Sequence, residues 1–367
     1  MLKNIMQLKY KPDFSEARIA WNYYWAGEKW KRPLVVPEPI PRNPQLNLES
    51  PWEKRYFNTV NGNYRLALDI VEEWIQNHIY PAEAIPGFGP DHGPDQFAAC
   101  LGTTLHFSPD SPSTNWVLPY VDDWHAVLPL KLDENNPVWQ SLQKYAHFLA
   151  EHARGKYLVR ICDLHSNADA LSAMRGPDRL CLDFYDCPEL VERAMRDVRR
   201  LYQPIYNRLY AAAGYDHTTG ASGWAPFWCE GKFATIQCDF ICLVSPKISR
   251  RYILPALEEE AGFLDHCVFH LDGPGALPHL NDILSIKKIG VIQWVSGAGQ
   301  PKMWMPEWLD VLKRCQKAGK GLQLHDLTID EAKTIHHQLS PVGLVYCVRA
   351  GSVGEVDDFC RWLEKNS

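Results

Sequence analysis

From about residue 150 onward, short runs rich in β-branched and aromatic residues alternate with longer segments of helical character. This alternation limits the fold more than any single motif does. Strands are expected at residues 157–163, 217–224, 267–272, 290–295, 321–326 and 343–349. The helices between them have recognisable starts and stops. One covers 167–175 and halts at Gly176-Pro177, and the next opens at Asp186-Cys187-Pro188-Glu189 and runs towards Gly214. Ser245-Pro246 opens another, and a helix over 306–318 ends at Gly319. Thr328 with Glu331, and Ser352 with Glu355, have capping-box spacing, in which two orphan backbone donors are satisfied reciprocally.

The first half is less regular. Residues 33–37, 79–85 and 103–107 read as strands, and a helix is expected from Ser50-Pro51 to Gln76. The proline-rich stretch 37–51 and the segment 109–116 read as surface excursions. That makes nine strand candidates for eight places, so one is surplus. Strict β-α alternation implies a parallel sheet, and eight units imply closure. The expectation is an α/β fold, a (β/α)8 TIM barrel. A single domain would span 1–367, with residues 1–32 as an amino-terminal helical extension.

Composition removes several classes. With 46% apolar and 22% charged residues the chain is neither disordered nor fibrous, and a net charge of -6 argues against nucleic acid as a partner. The start MLKNIMQLKY lacks a signal-peptide core, and no run approaches the ~20 apolar residues of a membrane span. The eleven cysteines contain no CxxC pair, and Cys100, Cys162, Cys181 and Cys267 sit in or beside apolar runs, which fits a reducing, cytoplasmic setting. Fourteen tryptophans either pack the core or line an aromatic pocket.

Reactive groups in such a barrel follow the carboxyl ends of the strands. The expected strand ends present Glu38, Glu83, Asp163 with His165, Trp224, His270 with Asp272, Trp294, His325 with Asp326, and Cys347 with Arg349. His270 and Asp272 are two apart, so both leave the strand on one side. Imidazole and carboxylate together suit zinc, and a thiolate such as Cys347 would complete an open three-ligand site; the alternatives are that the two hydrogen-bond to each other or bind substrate directly. Asp163 and His165 repeat the pattern and read as substrate-binding or acid–base groups. The segment from Trp224 through Trp228 to Glu230 reads as a pocket wall with one polar anchor. There is no glycine-rich phosphate loop with the right flanks, and no GxSxG elbow.

The run from Gln237 to Pro255, with Asp239 before Ser245-Pro246, resembles the helix-opening motif of the uroporphyrinogen decarboxylase and corrinoid-methyltransferase superfamily. The segment 264–280 looks like that family's following strand and glycine turn. Residues 290–294 and 321–326 resemble its last strands, and Arg18 with the segment 27–33 its amino-terminal helix and first strand. The resemblance covers essentially the whole chain and implies the barrel. Decarboxylases of this family bind tetrapyrrole carboxylates through paired arginines after the first strand, but here Pro37-Glu38-Pro39-Ile40-Pro41-Arg42 keeps one. The methyltransferase branch binds zinc through His-x-Cys and a later Cys. Here the matching positions are His270, Asp272 in place of the first Cys, and Cys347 near the later one.

The first expectation is therefore a methyltransferase-like enzyme acting with a corrinoid protein or a folate. Its metal would be held by His270, Asp272 and Cys347, and its pocket shaped by Trp224, Trp228 and Trp294. A second reading is decarboxylation of a tetrapyrrole or polycarboxylate, with Asp163, Asp239, Asp272, His270 and His325 as the acid–base set. A third is a non-catalytic barrel that binds a corrinoid or porphyrin. The expected partners are a small-molecule substrate and a second copy in a homodimer, with no membrane contact.

Overall fold

Runs of Val, Ile, Leu, Phe and Cys too short to make a stable helix pair side by side into one parallel sheet. The computed structural model describes residues 7–28, 30–45, 48, 50–108 and 110–367, without the side chains of 111–113. Nine strands frame the site. They are β1 (Leu34–Val35), β2 (Gly87–Phe88), β3 (Leu158–Val159), β4 (Ala221–Ser222), β5 (Phe233–Gln237), β6 (His266–Asp272), β7 (Val291–Val295), β8 (Gly321–Thr328) and β9 (Leu344–Arg349). Six of them form a continuous parallel sheet in the order β1-β9-β8-β7-β6-β5. Helices connect the successive strands from β5 to β9, as parallel pairing demands.

The expected barrel is met only in part. Among the described residues the sheet is open, ending at β1 on one side and β5 on the other. Beyond it, β2 pairs with β3 in parallel, and single backbone bonds run from Glu83 N to Val35 O and from Ile161 N to Ser222 O. The structure is thus an α/β fold with a six-stranded parallel sheet, not one closed eight-stranded ladder. Outside the six-stranded sheet, the strands β2, β3 and β4 are only two residues long, too short to carry an unbroken register.

In the second half, four expected strands land within two residues of the observed bounds. The edge strand β5 escapes sequence reading because all five of its residues are buried. A run hidden on both faces has no alternation to betray it. The strand expected at 217–224 shrinks to β4, which pairs antiparallel with Trp228–Cys229. Residues 80–86 are not a strand: Lys11 Nζ donates to Tyr80 O and Ala82 O, and Ala82 sits at φ 51°. The surplus candidate is the third one. Thr104–Ser108 pairs antiparallel with Ser111–Leu118 outside the main sheet, so most of the expected excursion at 109–116 is a hairpin strand; Pro109 lies outside the described residues.

Helix boundaries follow their caps. Asn167–Arg175 stops where expected, at Gly176 with φ 89°, but Pro177–Asp186 then forms a helix of its own. The long helix expected up to Gln76 breaks at Gly62, φ 76°, into Pro51–Val60 and Tyr64–Gln76. Thr328 and Glu331 close a full capping box. Ser352 caps Glu355 N, but Glu355 turns its carboxylate to Gly351 N. The helix Pro188–Ala212 has Cys187 at its N-cap and no side-chain cap, so no box forms at Asp186.

The amino-terminal helix Phe14–Trp25 buries Phe14 and Trp21 and packs at the amino ends of the strands. Trp25 marks that location by stacking on His266, the first residue of β6, at 4.4 Å. All eleven cysteines are free thiols. Among the described residues, no helix is long and apolar enough to cross a membrane.

Candidate functional site

One row of the sheet is polar. Parallel register aligns Gln237 of β5 with His270 of β6, His270 with Gln293 of β7, and Gln293 with Gln323 of β8. Residues aligned in register share a face, so four polar side chains cross the sheet in one line. Three of them are nearly inaccessible: Gln237, Gln293 and Gln323 are 4%, 5% and 2% exposed. Burial at that level requires hydrogen bonds. Gln293 Nε2 donates to Gln323 Oε1 at 3.0 Å, which leaves Gln293 Oε1 to accept from His270 Nδ1. Gln323 Nε2 in turn reaches Cys347 Sγ at 3.5 Å.

This chain of amides sets the tautomer of His270. With its proton on Nδ1, the Nε2 lone pair is free for a ligand. One donor atom each from His270, Asp272 and Asp239 lies within 4.8 Å of the other two. Asp239 comes from the turn just past β5, held by Asp169, whose carboxylate accepts from the backbone N–H groups of Asp239 at 3.0 Å and Phe240 at 2.8 Å. Asp239 Oδ1 is buried and has no hydrogen-bond partner. Burial, reinforced by the Asp169 charge, pushes the Asp239 carboxyl up to about 6.

A second pair stands beside the first. His165 Nε2 lies 3.0 Å from Asp163 Oδ2. Burial alone would lower the His165 pKa, but Asp163, with Asp169, Asp239 and Asp95 behind it, outweighs burial and raises it. Burial raises Asp163 in spite of His165. Ser166 and Asn167, which follow, are anchored from behind. Ser166 Oγ donates to Glu260 Oε1 at 2.6 Å, and Asn167 Nδ2 donates to Gln237 O at 3.0 Å. Asn167 takes φ 47°, a left-handed conformation that these bonds hold.

The remaining expected residues divide by position. Trp224 is exposed and meets the His270 ring edge-on at 5.3 Å. His325 sits where the β8–β9 register shifts, next to Asp326 at φ 56°, and its Nε2 is 3.1 Å from Trp294 O. Burial lowers the His325 pKa. Trp294 itself points the other way. Its ring is fully buried against Trp308, since it neighbours inward-facing Gln293 on the strand.

Besides Trp294, three expectations are not met in space. Cys347 is absent from the donor group: it lies three strands from β6, roughly 14 Å along the sheet at ~4.8 Å per strand. Burial first of all pushes its thiol up to about 12. Trp228 is fully buried against the amino-terminal helix, 5.9 Å from the Phe14 ring, and its carbonyl accepts from Trp25 Nε1. Glu230 pairs with Arg18 at 3.0 Å on that same side. Gln293, Gln323, Asp169 and Glu260 were missed. For the two glutamines a signal existed, a lone amide in the apolar runs Val-Ile-Gln-Trp and Leu-Gln-Leu.

No protein-family model matches this sequence. No curated protein matches it either. Among solved structures, a methyltransferase from Methanosarcina mazei superposes with a TM-score of 0.55 over 95% of this chain and 98% of that one, at 12% identity. The two share a fold. At this identity the likeness extends to architecture and stops there, because a fold hosts many chemistries and function resides in the site.

Proposed function

We propose that this chain is a methyltransferase-like enzyme that holds a divalent metal, zinc being the expected ion, through Asp239, His270 and Asp272. The observation that carries the reading is the convergence of those three donors beside an imidazole whose Nε2 is left free. The donor set fits such an ion. Two carboxylates and one neutral imidazole satisfy a +2 charge, and the orphaned Asp239 Oδ1 is a buried acceptor in need of a cation or proton. With carboxylates at both positions where the family motif has thiolates, and Asp239 in place of the expected Cys347, the site is harder than that zinc motif and accommodates manganese or iron as well.

In this reading the strand ends form the mouth of a barrel whose first half is completed by the short pieces β2 to β4. The bound metal would act as a Lewis acid, lowering the pKa of a thiol or water acceptor. Gln293 would orient His270, and Asp169 would hold Asp239. Trp224 would cover the acceptor from the solvent side, and the Asp163–His165 pair would take or return the proton. A corrinoid or a folate is the proposed methyl carrier, in keeping with the family resemblance.

A second reading, proton chemistry on a carboxylated substrate without metal, draws support from the ionisable pair Asp163–His165 and from Asp239 lying near neutrality. One experiment separates the two. Protein purified without chelator is analysed for metal by mass spectrometry beside Asp239→Asn and His270→Ala. The methyltransferase reading expects one ion per wild-type chain and loss in both variants. Metal-free wild-type protein that also takes up no zinc on dialysis would end it.

A further inference from the structure

Arg160 is a largely buried cation that no acid among the described residues matches, and, unlike Lys320, which two backbone carbonyls accept from, its Nε has no acceptor. It follows β3 directly, and its backbone N–H donates to Phe88 O, which lays it alongside β2. Its Nε is buried with no hydrogen-bond partner, and its guanidinium makes no hydrogen bond or ion pair to any described residue. The neighbouring strand makes room for it. A Cβ on Gly87 would stand 2.9 Å from Arg160 Nε, and one on Gly89 would stand 2.2 Å from Arg160 O. Two glycines thus keep a lane open for one arginine.

A second cation is close enough to matter. Arg55 has a side chain 9% exposed, wedged over the rings of Trp52 at 4.9 Å and Phe88 at 5.0 Å. One of its nitrogens, Nη2, meets Asp91 Oδ2 at 3.2 Å, while Nε and Nη1 are buried without partners. Burial lowers the Arg160 pKa, partly offset by Tyr80 and Tyr215, and the Arg55 charge adds to the lowering. Taking a guanidinium out of water is unfavourable unless an anion accompanies it. Here Asp91 pairs with Arg55, and no carboxylate among the described residues pairs with Arg160. The deficit is one negative charge.

We propose that Arg160, with Arg55 in support, is the anchor for an oxyanion on the substrate: a carboxylate, sulfonate or phosphate. Its planar fork meets two oxygens of such a group at once, which a lysine would not do. The position suits a substrate tail. Arg55 acts on Arg160, and its partner Asp91 also acts on Asp163, so the arginines adjoin the Asp163–His165 pair and a molecule gripped at Arg160 can extend to it. The inference stands apart from the metal and survives if that reading fails.

The test uses thermal unfolding of the full chain in acetate, methanesulfonate and inorganic phosphate, each against chloride at equal ionic strength. Wild type should show a saturable rise in melting temperature with at least one of the three, and the strongest identifies the head group. Arg160→Met should melt no lower than wild type in chloride, because it removes an unmatched charge, and should lose the response, its apparent affinity falling roughly tenfold or more. Arg160→Lys keeps the charge without the fork and should respond weakly; it decides the matter if the methionine variant does not fold. No saturable response in wild type, or an undiminished one in Arg160→Met or Arg160→Lys, overturns the proposal.

Discussion

His270 and Gln293 stand directly opposite each other on adjacent parallel strands, and the amide oxygen of Gln293 accepts the proton on His270 Nδ1. Gln293 is not free to turn over, because its amide nitrogen is committed to Gln323. A contact between two strands therefore decides which imidazole nitrogen of His270 is left free.

Gln293→Leu should remove that control while keeping the volume near constant. Metal affinity is expected to fall about 10–100-fold, the usual cost of losing the group that orients a histidine ligand. Competition against a chromophoric chelator measures it, and unchanged affinity would show that Gln293 has no part in binding.

Cys347 and Asp239 should behave in opposite ways. Cys347→Ser should leave metal stoichiometry intact, since the thiol lies outside the donor group, whereas Asp239→Asn should reduce it. If the serine variant loses the metal and the asparagine variant keeps it, the spacing of the family motif is the better guide.

Glu260 predicts a pH dependence of stability. Burial pushes its carboxyl up to about 8, despite hydrogen bonds from Ser166 and Asn167 that work the other way. In the unfolded chain it titrates near ~4.3, so between these values the folded state holds a proton that the unfolded state has released. Stability is then lost as pH rises through this window, by at most about 1.4 kcal/mol per pH unit. Glu260→Gln keeps an acceptor for Ser166 and Asn167 and has nothing to ionise. Denaturant melts at pH 5 and pH 8 should show the variant gaining on wild type at the higher pH. Parallel pH profiles would rule out this role for the carboxyl.

The two tryptophans of one segment should separate stability from function. Trp228→Ala opens a cavity under the amino-terminal helix and should cost about 3–5 kcal/mol. Trp224→Ala, on an exposed ring beside His270, should change stability by less than about 1 kcal/mol and weaken ligand binding instead. Equal losses of stability in urea melts would place both rings in the core.

Reading the chain alone yields the parallel α/β class, the strands from 267 to 349, the helix that stops at Gly176, and the shared side of His270 and Asp272. Each rests on local rules. Side-chain period, cap chemistry and the permissiveness of glycine all act within a few residues. The tertiary structure alone brings Asp239 to His270 in place of Cys347, carries Trp228 and Glu230 to the amino ends of the strands, and sets Arg160 beside Gly87 and Gly89. These depend on which strand lies next to which, and in a parallel sheet the neighbour arrives through a long crossover whose endpoint is chosen by packing. Spacing along the chain governs the face a residue takes; the order of strands governs the company it keeps.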